Sequence, residues 1–389
     1  MAPDYQHLNG YSDWVSAAGT MQLLYPVAQP GPETRQRVRE VLGFCRGEEV
    51  PLDVQVGRCW EREGVAGEEV SWSAGYGLRT QAWVLKPAGA TSPLPGIVAL
   101  HDHGGFKFYG KEKIADGPDD PAPVVVRHRD AYGGRAFANA LAREGYVVLV
   151  PDVFLWGSRR FPLGSMPESI RQAAASSADG GATDEPLTSE IAHYNAAASL
   201  HEHLVEKYCT LLGTTLAGVV SHEDRIAVSY LRSRPDVIAG RVGCIGLSGG
   251  GCRAALLQAT CEHISASVVV GMMSTYAHLL DHNVASHTWM FFPTGWARYG
   301  DWPDLAACRA PSPLLVQYDL DDDLFTIEGM RAAHQHIAAH YDGAGHPEQY
   351  TGEFYPGPHK FDLPMQAAAF VWLKQQLCVD GSPAGESGV

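Results

Sequence analysis

Ser248 stands in Arg241-Val-Gly-Cys-Ile-Gly-Leu-Ser-Gly-Gly-Gly-Cys252, where a short apolar strand runs into a serine flanked by glycines. The spacing Gly246-x-Ser248-x-Gly250 is that of a nucleophile elbow, a strand-to-helix turn that tolerates only small neighbours. Such a turn lifts the hydroxyl above a sheet edge and aims the first N–H groups of the helix at whatever the serine attacks. A serine hydroxyl needs a base to take its proton. His359 in Tyr355-Pro-Gly-Pro-His-Lys-Phe-Asp362 is placed to be that base, on a loop between a last strand and a closing helix. The acid that would orient it falls in Asp319-Leu-Asp-Asp-Asp-Leu-Phe325. Asp322 is preferred there, a short turn beyond a strand end and just before the apolar Leu324-Phe325 pair, with Asp319, Asp321 and Asp323 as competitors. The alternate aspartates also resemble a calcium loop, but Leu324 replaces its glycine and Met330 its closing glutamate.

Acyl transfer also needs donors for a developing oxyanion. Gly249 supplies one N–H, and Gly104 or Gly105 in the loop His103-Gly104-Gly105 supplies others, where glycines let backbone approach a substrate. A dinuclear metal reading of His101-x-His103 would need an acid where Gly105 stands, so no metal is expected. His201 and His203 fall on different faces of a helix and read as surface or lid residues. Lys107, Lys111 and Lys113 follow the oxyanion loop, and Arg159 and Arg160 follow a later strand. Together with His103 they are candidate contacts for a substrate carboxylate or enolate, set against an ordinary role as solvated surface charges.

The elements that position these residues alternate. Gly96–Leu100, Tyr146–Val150, Val242–Leu247, Ala266–Val270 and Pro313–Tyr318 are continuous apolar runs of buried parallel strands, with helical stretches between them. Two further strands are expected at Glu68–Ser73 and Leu78–Leu85, and helices at Glu33–Phe44, Ala131–Glu144, Glu190–Leu212, Ala217–Leu231, Arg253–Cys261, Thr326–Tyr341 and Leu363–Leu377. Residues 1–64 read as a helical extension, 65–378 as an α/β domain, 153–217 as a lid or cap insertion within it, and 379–389 as a disordered tail. The aromatic stretch Tyr276–Trp302 reads as pocket lining or as core under a long connection.

A charge of −15 without a Lys/Arg run disfavours nucleic acid and anionic membranes as partners. Eight scattered cysteines without a C-x-x-C pair suit a reducing compartment, and the N-terminus lacks a signal-peptide pattern, so a cytoplasmic location is expected.

His101-x-His103-Gly-Gly105, Gly243-Cys-Ile-Gly-Leu-Ser-Gly-Gly-Gly251, Asp322 before Leu324-Phe325, and Gly357-Pro-His-Lys-Phe361 together resemble the α/β-hydrolases. The likeness is to the esterase group of dienelactone hydrolases and bacterial acetyl-xylan-esterase-like proteins, across about residues 80–378. Asp319 departs from the pattern, where such sequences often carry glycine. The resemblance implies a mostly parallel sheet flanked by helices, a Ser248–His359–Asp322 triad, no cofactor and a small-molecule ester substrate. The alternatives are an esterase-like lyase or acyltransferase using the same groups, for example by eliminating acetate, and a non-catalytic binding protein on the same fold. Sequence leaves the acyl group and the oligomeric state open.

Overall fold

The computed structural model describes residues 5, 7–44, 47–178, 186–280 and 283–378. The tail expected from 379 and Cys45 lie outside them. Nine strands form one sheet: β1 Leu52–Arg62, β2 Val65–Ser73, β3 Thr80–Pro87, β4 Leu94–Leu100, β5 Val147–Pro151, β6 Val237–Leu247, β7 Ala266–Val270, β8 Leu314–Asp319 and β9 Tyr350–Tyr355. The spatial order is β1-β2-β3-β5-β4-β6-β7-β8-β9. β1, β2 and β3 pair antiparallel, as does β3 with β5, whereas every pair from β5–β4 to β8–β9 is parallel. The chain order reverses around β4, so the loops after β4 and β6 open side by side at the carboxyl edge, where ligands of such sheets bind.

The helices are α1 Asp13–Met21, α2 Pro32–Leu42, α3 Pro123–His128, α4 Phe137–Arg143, α5 Glu168–Ala178, α6 Pro186–Leu211, α7 Leu216–Ser233, α8 Gly249–Thr260, α9 Trp302–Ala307, α10 Ile327–Gly343 and α11 Leu363–Leu377. They cover both faces of the sheet, and alternate residues of the central strands feed two cores. Val98, Leu100, Cys244, Val269 and Val316 face α7, α8 and α10. Ile97, Ala99, Ile245, Leu247 and Val268 face α4 and α11. Burial on both sides explains why these strands read as unbroken apolar runs. α8 is buried along its whole length, with Arg253 neutralised by Asp224 through bonds of 2.9 and 2.7 Å.

Several expected boundaries move. The sheet begins at Leu52, inside the stretch read as a helical extension; Leu52, Val54 and Val56 alternate with polar residues, but this strand lies largely exposed at the sheet edge. The helix expected from Ala131 starts at Phe137, because Gly133 and Gly134 take positive φ values of 66° and 76° after a short 3₁₀ turn. α8 begins at Gly249 rather than Arg253, so the glycines form its first turn. The insertion holds α5 and α6, which share a small core of Met166, Ala174, Tyr194, Ala197 and Ala198 under Phe108 and Phe161. Between Tyr276 and Trp302 the aromatic residues Tyr276, Phe291, Trp296 and Trp302 are buried as core. No helix among the described residues is long and apolar enough to cross a membrane.

Candidate active site

β6 delivers Ser248 to the sheet edge with φ 59° and ψ −122°, a conformation that non-glycine residues avoid. The Ser248 N–H donates to the Val270 carbonyl at 2.8 Å, tying the turn to the neighbouring strand. The glycines are steric requirements. A Cβ on Gly250 would lie 2.1 Å from the Leu100 carbonyl oxygen, and one on Gly246 would lie 2.5 Å from Gly250 backbone. The serine is half-buried, and its hydroxyl has no hydrogen-bond partner among the described residues.

The loop after β8 turns tightly. Asp322 Oδ1 accepts from the Leu324 N–H at 2.9 Å, which leaves Oδ2 to accept from His359 Nδ1 at 2.6 Å. Asp321 stitches this loop to the histidine loop, its carboxylate accepting from the Gly357 N–H at 2.8 Å and its N–H donating to the Gly357 carbonyl at 3.0 Å. The His359 ring lies against the turn after β7, where a Cβ on Gly271 would come within 2.9 Å of its Cε1. Its Nε2 is buried and has no partner among the described residues. Burial pushes the His359 pKa down, but the Asp322 hydrogen bond and the charges of Asp322, Asp319 and Asp102 outweigh it and raise the value. Asp319 sits behind this pair at the end of β8, accepting from the Lys360 N–H at 3.0 Å through Oδ2 while Oδ1 has no partner among the described residues. Its burial raises its pKa to about 7. Asp323 is exposed.

The third component is the loop after β4. The position a Gly249 Cβ would take is 2.6 Å from the His103 nitrogen, so the backbones of Gly249 and His103 abut. Their N–H groups have no acceptor among the described residues, and neither has that of Gly104. Gly105 departs from the expectation: its N–H is engaged, donating to His103 Nδ1 at 3.0 Å. The open donor in its place is His103's own main-chain N–H, in the same loop. The His103 imidazole accepts the Gly105 N–H at Nδ1 and meets Glu202 with its Nε2 at 2.9 Å.

The cations read as substrate contacts are internal. Lys107 pairs with Glu202 at 2.5 Å, Lys111 with Asp152 at 3.0 Å and Lys113 with Asp102 at 3.3 Å, and all three are buried. They are therefore neither solvated surface groups nor free to bind a carboxylate. Lys113 also donates to the carbonyls of Asp102, Phe106 and His103, so its ammonium props the loop from inside. Arg159 is buried against Glu223, and Arg160 lies over the Phe108 ring with its centre 4.3 Å away. His203 is exposed as expected, but His201 is buried beside Phe161. Sequence reasoning missed Glu202, which stands between those two histidines on α6, and it missed Asp102. Asp102 accepts from Tyr132 at 2.6 Å and from His128 Nε2 at 3.0 Å.

Two trios of metal-ligand types converge among the described residues, Asp319–Asp322–His359 and Asp304–His336–His340. In the second, both imidazoles lie 2.6 to 2.8 Å from one oxygen of Asp304, which is hydrogen-bond spacing.

Residues 112–271 match the dienelactone hydrolase family. That span includes Ser248 but ends before the Asp322 and His359 loops. YtaP of Bacillus subtilis (strain 168), whose name goes no further than hydrolase, is 24% identical over 321 residues, covering 82% of this chain and 90% of that protein. The glucuronoyl esterase of Solibacter usitatus superposes with a TM-score of 0.59 at 15% identity, over 88% of this chain and 92% of its own. Acetyl xylan esterase 1 from Thermoanaerobacterium sp. gives 0.56 at 16%, over 90% and 96%. Identities this low speak for architecture. Sheet order, elbow and structural likeness agree: the chain has the α/β-hydrolase fold, and its central part resembles the dienelactone hydrolases.

Proposed function

We propose that this protein is a serine-dependent carboxylic ester hydrolase acting on small-molecule esters. The observation that carries the reading is the Asp322–His359 pair, held at 2.6 Å against the turn that also anchors Ser248, with the imidazole's other nitrogen unpartnered among the described residues. In this mechanism His359 Nε2 takes the Ser248 proton as the hydroxyl attacks the ester carbonyl. The Gly249 and His103 N–H groups stabilise the tetrahedral oxyanion, with Gly104 as a further donor. Asp322 keeps the proton on Nδ1 and stabilises the imidazolium, which then protonates the leaving alcohol; water releases the acid by the same route in reverse. No residue of this scheme calls for a metal or an organic cofactor. The names of the structural neighbours, acetyl xylan esterase and glucuronoyl esterase, support the ester class. A location in the cytoplasm remains the reading of the cysteine pattern.

A fluorophosphonate should label Ser248 one to one, located by peptide mass spectrometry. Turnover of an acetate ester in ¹⁸O water should place the label in the released acetate. Unlabelled acetate would instead make the protein an eliminating lyase, and failure to label the serine would remove the nucleophile.

The pH dependence carries a further expectation. The base must be neutral, so kcat/KM rises with pH through the His359 pKa, which lies above the ordinary histidine value. Asp319, whose pKa burial pushes up to about 7, contributes to that elevation, so the two groups ionise together and stretch the acid limb. Asp319→Asn should sharpen the limb and move it to lower pH, retaining activity in more acidic buffer. An unmoved profile would show that Asp319 has no electrostatic hold on the base.

A further inference from the structure

We infer that Glu202 is a positioning residue for the oxyanion loop, through which α6 of the inserted segment sets catalytic competence; this rests on the esterase reading. Its carboxylate is buried, and four donors converge on it. Oε2 accepts from His103 Nε2 at 2.9 Å and from Lys107 Nζ at 2.5 Å. Oε1 accepts from the Thr288 hydroxyl at 2.8 Å and from the Trp289 N–H at 3.1 Å. One side chain thus joins the loop after β4 to the segment after β7, two strands that β6 separates in the sheet.

The consequence for His103 follows from proton counting. Its Nδ1 accepts the Gly105 N–H, so its single proton in the neutral state sits on Nε2 and points at Glu202. Burial holds the imidazole pKa below its ordinary value, against the opposing pull of Glu202. In this tautomer the Gly105 N–H is drawn inward to the ring, and the loop presents the His103 main-chain N–H beside that of Gly249. Losing the Glu202 acceptor frees the ring to turn and releases both constraints on the donor. The same face of α6 supports the next residues of the loop: Asn195 Oδ1 accepts from the N–H groups of Lys107 and Phe108, and the Ala198 carbonyl accepts from Lys107 Nζ. Positions 195, 198 and 202 follow the three-and-four spacing of one helical stripe. The inserted segment is therefore part of the oxyanion hole's support and not a decoration above it.

Glu202→Gln keeps the shape but offers an NH₂ group where only donors converge. Its kcat per active site should fall about 10-fold to 100-fold, less than the ~10²–10³ lost when an oxyanion donor is deleted. KM should stay within about twofold, and affinity for a trifluoromethyl ketone should fall in parallel with kcat/KM, because the defect concerns only the oxyanion. Active sites are counted by fluorophosphonate titration, so a failure of the esterase reading shows as an unlabelled wild type and is distinct from failure here. Tyr194→Phe is the control, since it removes a hydrogen bond that α6 makes to the Phe161 carbonyl at 3.0 Å and leaves the ring and every hydrogen bond of the loop after β4 in place. A lower Tm with near-wild-type kcat per site is expected of it. If Glu202→Gln behaves the same way, or raises KM with kcat intact, the inference is overturned.

Discussion

Ser248→Ala should reduce kcat on p-nitrophenyl acetate by about 10⁴-fold to 10⁶-fold, the range that removal of a triad nucleophile produces elsewhere. The fold should not suffer. The Ser248 hydroxyl makes no hydrogen bond among the described residues, and its positive φ is equally strained for alanine, which keeps the Cβ. The turn is held by backbone, through the Ser248 N–H to the Val270 carbonyl and the Cys252 N–H to the Ser248 carbonyl. Tm by thermal denaturation should therefore match wild type, so the loss is chemical. What activity survives would come from the Gly249 and His103 N–H groups, which still polarise a bound carbonyl toward water. A variant retaining a tenth of wild-type turnover would exclude an acyl-enzyme on this serine.

Asp322→Asn should be nearly as damaging, with kcat lower by about 10⁴-fold. The amide fits the same space, but only its oxygen can accept. If the Leu324 N–H keeps that oxygen, as it now keeps Oδ1, the amide NH₂ faces His359 Nδ1. Nδ1 must then accept, which moves the ring proton to Nε2, the nitrogen that has to take the serine proton. Loss of the negative charge also removes the leading opposition to burial in the His359 pKa, leaving the imidazolium less stable when it forms. The neighbouring aspartates separate cleanly in this test. Asp319→Asn should act on the pH limb, and Asp321→Ala should act on loop order, because its carboxylate holds the Gly357 N–H and not the histidine. Comparable loss of kcat at Asp319 would reassign the acid.

The loop aspartates show how far sequence reaches. A strand ending in a polar turn marks where an acid can stand, and that much is local. Which of the four points at the histidine depends on the turn's hydrogen bonds to Leu324 and on a histidine loop that meets it from 37 residues further along. Helix and strand order was legible for a similar reason. Strands buried on both faces must be apolar throughout, and helices between them must carry an apolar stripe, so chain order and layer order are written in composition. β1 escaped because an exposed edge strand has no such obligation.

The basic run after β4 marks the limit. Lys107, Lys111 and Lys113 look like a charged surface when only their own neighbours are known. Their counter-charges lie on distant elements: Glu202 on α6 at a separation of 95 residues and Asp152 beyond β5 at 41. A buried cation is tolerable only where such a partner arrives, and no local pattern announces that meeting. Sequence alone thus determined the elbow at Ser248, the chain order of that serine, the aspartate run and His359, and the parallel sheet beneath them, because each depends on short-range spacing and on burial. Tertiary structure alone decided that Asp322 is the aspartate at His359, that the Gly105 N–H is taken while that of His103 is open, and that the lysines brace the loop from within. Those outcomes turn on hydrogen-bond partners brought together by the fold, and hydrogen bonds are directional where hydrophobic periodicity is not.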